Sequence, residues 1–562
     1  MKAIRLVLAL LLTACSAGGG SSTRQMPPGS GDKGNAPAAL VREHLVPTAP
    51  VAGSGPAGSA GPFHADMRQA AAMPLRPPGG RVENDAETRR VPNLDLGRFA
   101  LSPVILHPAQ SSANESEITP RSRGSSGTAR GVRSVVTNTF NESGQIDIAG
   151  STDGTYVVTI GGNGNMDVWT LGGGLVSSTN INSFFCSTSL PACAVNPQIA
   201  DARVLYDMLS NRWVITAMPI AHTYATPVFI AASTTSNPTG SYYLYQIASC
   251  GPTYIGDTDQ PHAGTSSQWL VVSVPCNAGD PNLTVLDKGT VYGGGALALN
   301  STFWQFLDPI NVGGGNRDLP VLTYAPTINN RQYLVASGIT SGNASAIYSH
   351  VEGTYPPVFY SGTQQVNTTF AATGPVAVDA PGCQGCINTF ANGWVHSAGV
   401  WTFNNGQAYI VSTVSLGDPR IARSAQVIEF AVNTATGAST AFQFAGGIPG
   451  AGPIGSEIAM PLVSNTTYNA AMIVYARSRA DFYPGVFAAQ WNIDGNYIAT
   501  VTNFNQGTLT PTGFDASRWI DFMQAVAPVP GSSQMVAAGP VASTYAGDTD
   551  PQKLVLWTVF TP

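Results

Sequence analysis

The sequence predicts an all-β protein, a seven-bladed β-propeller preceded by a disordered N-terminal tether, on three observations. Charged residues make up only 10% of the 562, while Gly (61) and Pro (41) are plentiful. That composition starves long helices and coiled coils of Ala, Glu, Lys and Leu and supplies turns instead. After Arg133 the text changes to short apolar or alternating runs bounded by Gly, Asn, Asp and Pro, the pattern of short strands and tight turns. Within that region one turn-then-strand unit recurs seven times. The expected organisation is a signal segment at 1–14, a basic Pro/Gly/Ser-rich linker at 15–133 and the propeller at 134–562.

Lys2 and Arg5 form a positive start, and Ile4 to Leu12 is an apolar run too short to span a bilayer. This reads as a cleaved export signal. Its end, Leu12-Thr13-Ala14-Cys15, resembles the bacterial lipoprotein lipobox, whose cysteine becomes the lipidated first residue of the mature protein. By that resemblance Cys15 carries the lipid, palmitate included, and Ser16 in place of an aspartate implies sorting to the outer membrane. The expected location is the bacterial cell envelope, periplasmic or surface-exposed. No other stretch approaches about 18 consecutive apolar residues, so lipid is the membrane attachment expected.

From Ser16 to about Asn93 the chain is dominated by Gly, Ser, Ala and Pro, as in Gly18-Gly19-Gly20-Ser21-Ser22 and Pro77-Pro78-Gly79-Gly80. Such a segment buries too little apolar surface to offset its ordering entropy. A flexible linker of about 80 residues has an r.m.s. span of roughly 50 Å. Arg121, Arg123, Arg130 and Arg133 follow among Ser and Gly, suited to anionic headgroups or polysaccharide phosphates, or simply to a solvated linker. Residues 1–133 hold 15 Lys/Arg against 9 Asp/Glu, and residues 134–562 hold 11 against 23. With a net charge of −6, no overall cationic field exists to hold nucleic acid.

The recurring unit is Thr152-Asp153-Gly154-Thr155-Tyr156-Val157-Val158, then Ser210-Asn211-Arg212-Trp213-Val214-Ile215, then Ser266-Ser267-Gln268-Trp269-Leu270-Val271-Val272. It returns at Asn330 to Val335, Asn405 to Val411, Asn469 to Val474 and Ser532 to Ala537. The spacing, roughly 56 to 76 residues, exceeds the 40–50 typical of a four-stranded blade, and the surplus is assigned to loops. A blade cannot bury both faces alone, so radial packing supplies the core. Two tandem sandwiches or a β-helix are the alternatives. The spacing is too wide for the coils of a β-helix, and the Cys-Trp-Cys pattern of immunoglobulin domains is absent.

Asp201-Ala202-Arg203-Val204-Leu205-Tyr206-Asp207 with Arg212-Trp213, Tyr475-Ala476-Arg477-Ser478 with Tyr483-Pro484, and Arg518-Trp519-Ile520-Asp521 resemble exported bacterial propellers related in fold to sialidase and BNR-repeat proteins. The resemblance covers roughly 140–562 and implies fold alone. Ser151-Thr152-Asp153-Gly154-Thr155-Tyr156 lacks the spacing of an Asp-box, and no sialidase-type arginine triad can be assigned, so sialidase activity is not implied.

Apart from Cys15 there are six cysteines in three close pairs, Cys186/Cys193, Cys250/Cys276 and Cys383/Cys386, which fits an exported protein. Local disulfides are expected. Cys383-Gln384-Gly385-Cys386 also matches a redox or half-zinc motif, but has neither a βαβ setting nor a second pair. Asp257 and Asp259 in Gly-Asp-Thr-Asp are calcium candidates, with an Asx-type turn as the plainer reading; otherwise no metal or cofactor is expected.

No nucleophile elbow, His-Glu-x-x-His, P-loop or EF-hand loop occurs. Charged residues at blade starts are the channel candidates: Asp201, Arg203, His262, Glu457, Arg518 and Asp521. They suit a polar ligand, glycan or protein, or else tie neighbouring blades together. The favoured function is a lipid-anchored binding or scaffold module. The other hypothesis is a carbohydrate-active enzyme, a polysaccharide lyase or glycosidase, using His262 or His396 as base and Arg518 to neutralise charge.

Overall fold

The computed structural model describes most residues from 148 to 297 with their side chains, a few side chains beyond, and the backbone of strands elsewhere between 46 and 561. Among these residues the chain is all-β apart from three short helices. The strands form seven sheets of four or five strands and one two-stranded ribbon, Val378–Ala380 with Cys383–Ile387. All pairings are antiparallel except that of Met523–Gln524 with Ile148–Thr152.

The first sheet runs through Ile148–Thr152, Tyr156–Gly161, Asn165–Thr170 and Leu175–Asn180. Its opening hairpin follows from Thr152-Asp153-Gly154. Asp153 Oδ1 accepts from the amides of Thr155 and Tyr156, both at 2.7 Å, and Gly154 takes φ 90°, a conformation L side chains rarely adopt. The second sheet is Ile199–Asp207, Arg212–Pro219, Pro227–Ser233 and Ser241–Ala248. The third is His262–Thr265, Trp269–Pro275, Pro281–Asp287 and Thr302–Gln305.

Period-two alternation lets the second sheet serve two cores at once. Val204, Tyr206, Trp213 and Ile215 meet Val158, Ile160, Met166 and Val168 of the first sheet. Leu205, Val214, Val228 and Ile230 meet Leu270, Val272 and Leu286 of the third. Every residue of Ile199–Asp207 is buried in consequence.

Between the first two sheets the chain crosses by the helices Ile181–Cys186 and Pro191–Val195. Asn180 caps the first, its side chain accepting from the amides of Asn182 and Ser183. Phe184 packs edge-on to Tyr242, and Phe185 stacks on Phe229. Cys186 and Cys193 form the expected disulfide, and the Ala192 amide donates to Gln246 Oε1 at 3.0 Å. Closing so short a loop contributes about 2–3 kcal/mol. Reduction should lower the melting temperature by a few degrees while the β-sheet circular dichroism persists, because neither core depends on the bond. Cys383 is also disulfide-bonded. The cysteine it pairs with is not among the described side chains, and neither is the side chain of Cys386; Cys250 and Cys276 lie outside the described residues.

The later sheets repeat the plan, starting at Arg317–Pro320, Val395–Thr402, Ile454–Ala459 and Val526–Pro528. All seven copies of the sequence repeat fall on the second strand of a sheet, from Tyr156–Gly161 to Met535–Ser543. Each sheet's leading strand packs against that of the next, and Val526–Pro528 returns to Ile148–Thr152. The last sheet is completed from upstream: Asn138–Glu142 pairs with Gln552–Thr561, Asn138 opposite Trp557 and Glu142 opposite Lys553.

Candidate functional site

The predicted site residues that are described lie on two adjoining leading strands. Asp201 is the third residue of its strand and takes φ 50°, left-handed backbone inside a strand. The register explains this. Arg203 stands opposite Thr216 and Ala200 opposite Met218, so Asp201 and Ala202 together face Ala217, a β-bulge. Aspartate tolerates this conformation better than most residues because its short side chain can bond locally.

Cross-strand partners share a face, so Arg203 and Thr216 point the same way. Thr216 Oγ1 donates to Pro261 O at 3.1 Å, which ties the second sheet to the residue before His262, the first of its own leading strand. Asp201 and His262 retain 8% exposure each, and Arg203 only 2%. Asp201 and His262 thus keep a small exposed surface, while Arg203 is almost fully buried.

Among the rest, Glu457 is the fourth residue of its leading strand, opposite Val474, and His396 the second of its own, at a register shift between Val395 and Ser397. The side chains of Glu457 and His396 lie outside what is described, as do Arg518, Asp521, Asp257, Asp259 and Cys15. Among the described residues no group of three His, Cys, Asp or Glu is placed to hold a metal, and no helix is long and apolar enough to cross a membrane.

A second polar cluster, not anticipated from sequence, sits at the other end of the Asp201 strand, about 20 Å along it. Asp207 is fully buried, and its Oδ2 meets Lys288 Nζ at 2.6 Å and accepts from the Tyr292 hydroxyl at 2.7 Å. Lys288 also donates to Ser266 O at 2.5 Å, and the Leu209 amide donates to Asp207 Oδ1. Burial holds the Lys288 ammonium below its ordinary range, against the opposing pull of Asp207. The Tyr292 phenol is raised, by burial first and Asp207 second. With Asp207 and Lys288 both buried, this cluster fastens the second sheet to the third through the helix Lys288–Tyr292 and Ser266 O. Asp167 is a third buried acid: burial pushes its carboxyl up to about 6, a hydrogen bond with Ser178 pulls the other way, and Oδ1 has no hydrogen-bond partner.

No protein-family model matches the sequence, and no curated protein does. Among solved structures the chain is similar to a sialidase of Trypanosoma rangeli in complex with 2,3-difluorosialic acid, at 8% identity and a TM-score of 0.34 over 75% of this chain and 59% of that one. It therefore spans less than two thirds of the sialidase chain. It is also similar to an exo-1,5-α-L-arabinanase from a bovine ruminal metagenomic library, at 10% identity and a TM-score of 0.26, over 51% of this chain and 93% of that one. An α-L-arabinofuranosidase of Clostridium thermocellum matches at 10% identity and 0.26, over 52% and 90%. At these values the likenesses assign neither activity nor substrate.

Proposed function

We propose that this chain is a lipid-anchored, seven-bladed β-propeller of the bacterial cell envelope that binds a polar ligand, a glycan or a protein, at one mouth of its axis. The ring of leading strands and the completion of the last sheet by Asn138–Glu142 support the propeller reading. Leading strands of a propeller run in one sense along the axis, so their first residues gather at one mouth.

The observation that carries the site is that Asp201, His262, His396 and Glu457 all fall within the first four residues of a leading strand. Arg518 and Asp521 stand a few residues before the strands Met523–Gln524 and Val526–Pro528. Acids, imidazoles and a guanidinium around one opening suit the hydroxyls and charges of a glycan or a peptide end. Two histidines at that mouth are what favours the second reading, a polysaccharide lyase or glycosidase with a histidine base.

A glycan and polymer screen on the Cys15→Ala protein, read for both retention and turnover, separates the two. Retention without new reducing or unsaturated ends is expected; turnover would replace the binding module by the enzyme. Asp201→Asn should weaken retention about tenfold, the loss of one charge-assisted hydrogen bond. Its melting temperature should hold, because Asn tolerates the same left-handed backbone. Unchanged retention would reduce Asp201 to a bulge residue. Cys15→Ala should also move the protein from the membrane to the soluble fraction with an unchanged circular dichroism spectrum; continued detergent-sensitive partitioning would refute the lipid anchor.

A further inference from the structure

The outer edge of the second sheet receives a strand from far upstream. Phe63–Asp66 pairs antiparallel with Ser241–Leu244, Phe63 opposite Leu244 and Asp66 opposite Ser241, and lies against the helix Ile181–Cys186. Val46–Thr48 pairs in the same way with Phe359 to Ser361, on the outer strand of the fourth sheet. The third sheet lies between these two and ends, among the described residues, on Thr302–Gln305. Fully extended, a chain of the length from Thr48 to Phe63 reaches about 50 Å.

The receiving edge is held firmly from behind. Tyr242 is buried and donates its hydroxyl to Pro238 O at 2.8 Å, and the Tyr245 hydroxyl donates to Val291 O at 2.9 Å. Gln246 is bonded to Ala192 in the crossover closed by Cys186–Cys193. A rigid strand with one row of amides and carbonyls turned outward is a template for strand addition.

We propose that the outer edges of the second and fourth sheets are strand-acceptor surfaces whose partners are the chain's own Phe63–Asp66 and Val46–Thr48, the two fastenings of an N-terminal strap. Resting on the lipid-anchor reading, the free leash then shortens from 15–133 to 15–45. Its r.m.s. span falls from roughly 60 Å to about 30 Å, and the body is held close to the bilayer.

Hydrogen exchange on the full chain tests the strap. Amides of 63–66 and 241–244 should both be protected. The double substitution His64→Pro and Ala65→Pro removes the donor at either ladder position, and should speed exchange at least tenfold at those amides of 241–244 that face the added strand, and not at those that face Pro227–Ser233, with the melting temperature unchanged. Exchange of 63–66 at the unstructured rate, or undiminished protection of 241–244 in the variant, would overturn it. Light scattering should find a monomer across a tenfold concentration range. A dimer dissociated by the two prolines would put the strap on a second copy and overturn the intrachain assignment. These readouts need neither lipid nor ligand, so their failure is distinct from failure of the binding-module reading.

Discussion

Lys288→Met is expected to destabilise the protein by about 3–5 kcal/mol, the cost of leaving one member of a buried ion pair alone. Lys288 and Asp207 side chains are 4% and 0% exposed, and no water can replace the ammonium once it is gone. The carboxylate would keep only the Tyr292 hydroxyl and the Leu209 amide. Because Lys288 ties Asp207 of the second sheet to Ser266 O, in the turn between the first two strands of the third, the loss acts on the contact between those sheets. The double variant Lys288→Met with Asp207→Leu should recover most of the loss, since apolar groups filling the same space carry no uncompensated charge. Urea denaturation of the three proteins checks this. A single variant within about 1 kcal/mol of the parent would mean that Asp207 finds another partner.

Asp167→Asn should have the opposite sign. The folded protein holds the Asp167 carboxyl at about 6, above the ordinary aspartate value of about 3.9, chiefly because burial disfavours the charge. Between those values the folded state binds more protons than the unfolded state, so stability falls as pH rises through the window. Above it the full penalty stands, about 3 kcal/mol at 1.36 kcal/mol per unit. Asparagine keeps the shape and removes the charge. The gain in melting temperature should therefore be largest at pH 7–8 and fade below pH 4. An equal shift at both ends of that range would show that ionisation is not its source.

What the sequence disclosed and what it concealed follow from the range of the forces involved. Second strands were legible because a turn residue and an aromatic stand next to each other, as at Asn211-Arg212-Trp213 and Gln268-Trp269, and local chemistry suffices to place them. Leading strands such as His262–Thr265 and Arg317–Pro320 are four residues long, too short to show a period. The candidate residues were picked because they stand at blade starts, and not from any period of the strands themselves. Asp207 stood in a recognisable motif, but its partner Lys288 opens the short helix Lys288–Tyr292 that follows the third strand of the next sheet, and pairing so far along the chain leaves no local mark. The left-handed backbone of Asp201 was equally hidden, since the bulge is set by register with Thr216 and Met218 and not by neighbouring residues. Phe63–Asp66 was hidden for the same reason: four residues after Gly61-Pro62 gain strand structure only from the edge they meet.

The closing strand has a mechanical meaning. A pull on the N-terminal arm cannot reach the sheets all at once, because the chain is fastened in series: three residues at Val46–Thr48, four at Phe63–Asp66, two at Arg133–Ser134 and five at Asn138–Glu142. The two outer fastenings add to edges that are already complete, and either can peel away while leaving its four-stranded sheet intact. Arg133–Ser134 and Asn138–Glu142 differ, because both pair with Gln552–Thr561 and so join the beginning of the body to its end. Tension along the arm would be spent first on the small outer fastenings, and only a load that exhausts both would reach the seam by which the ring is held shut.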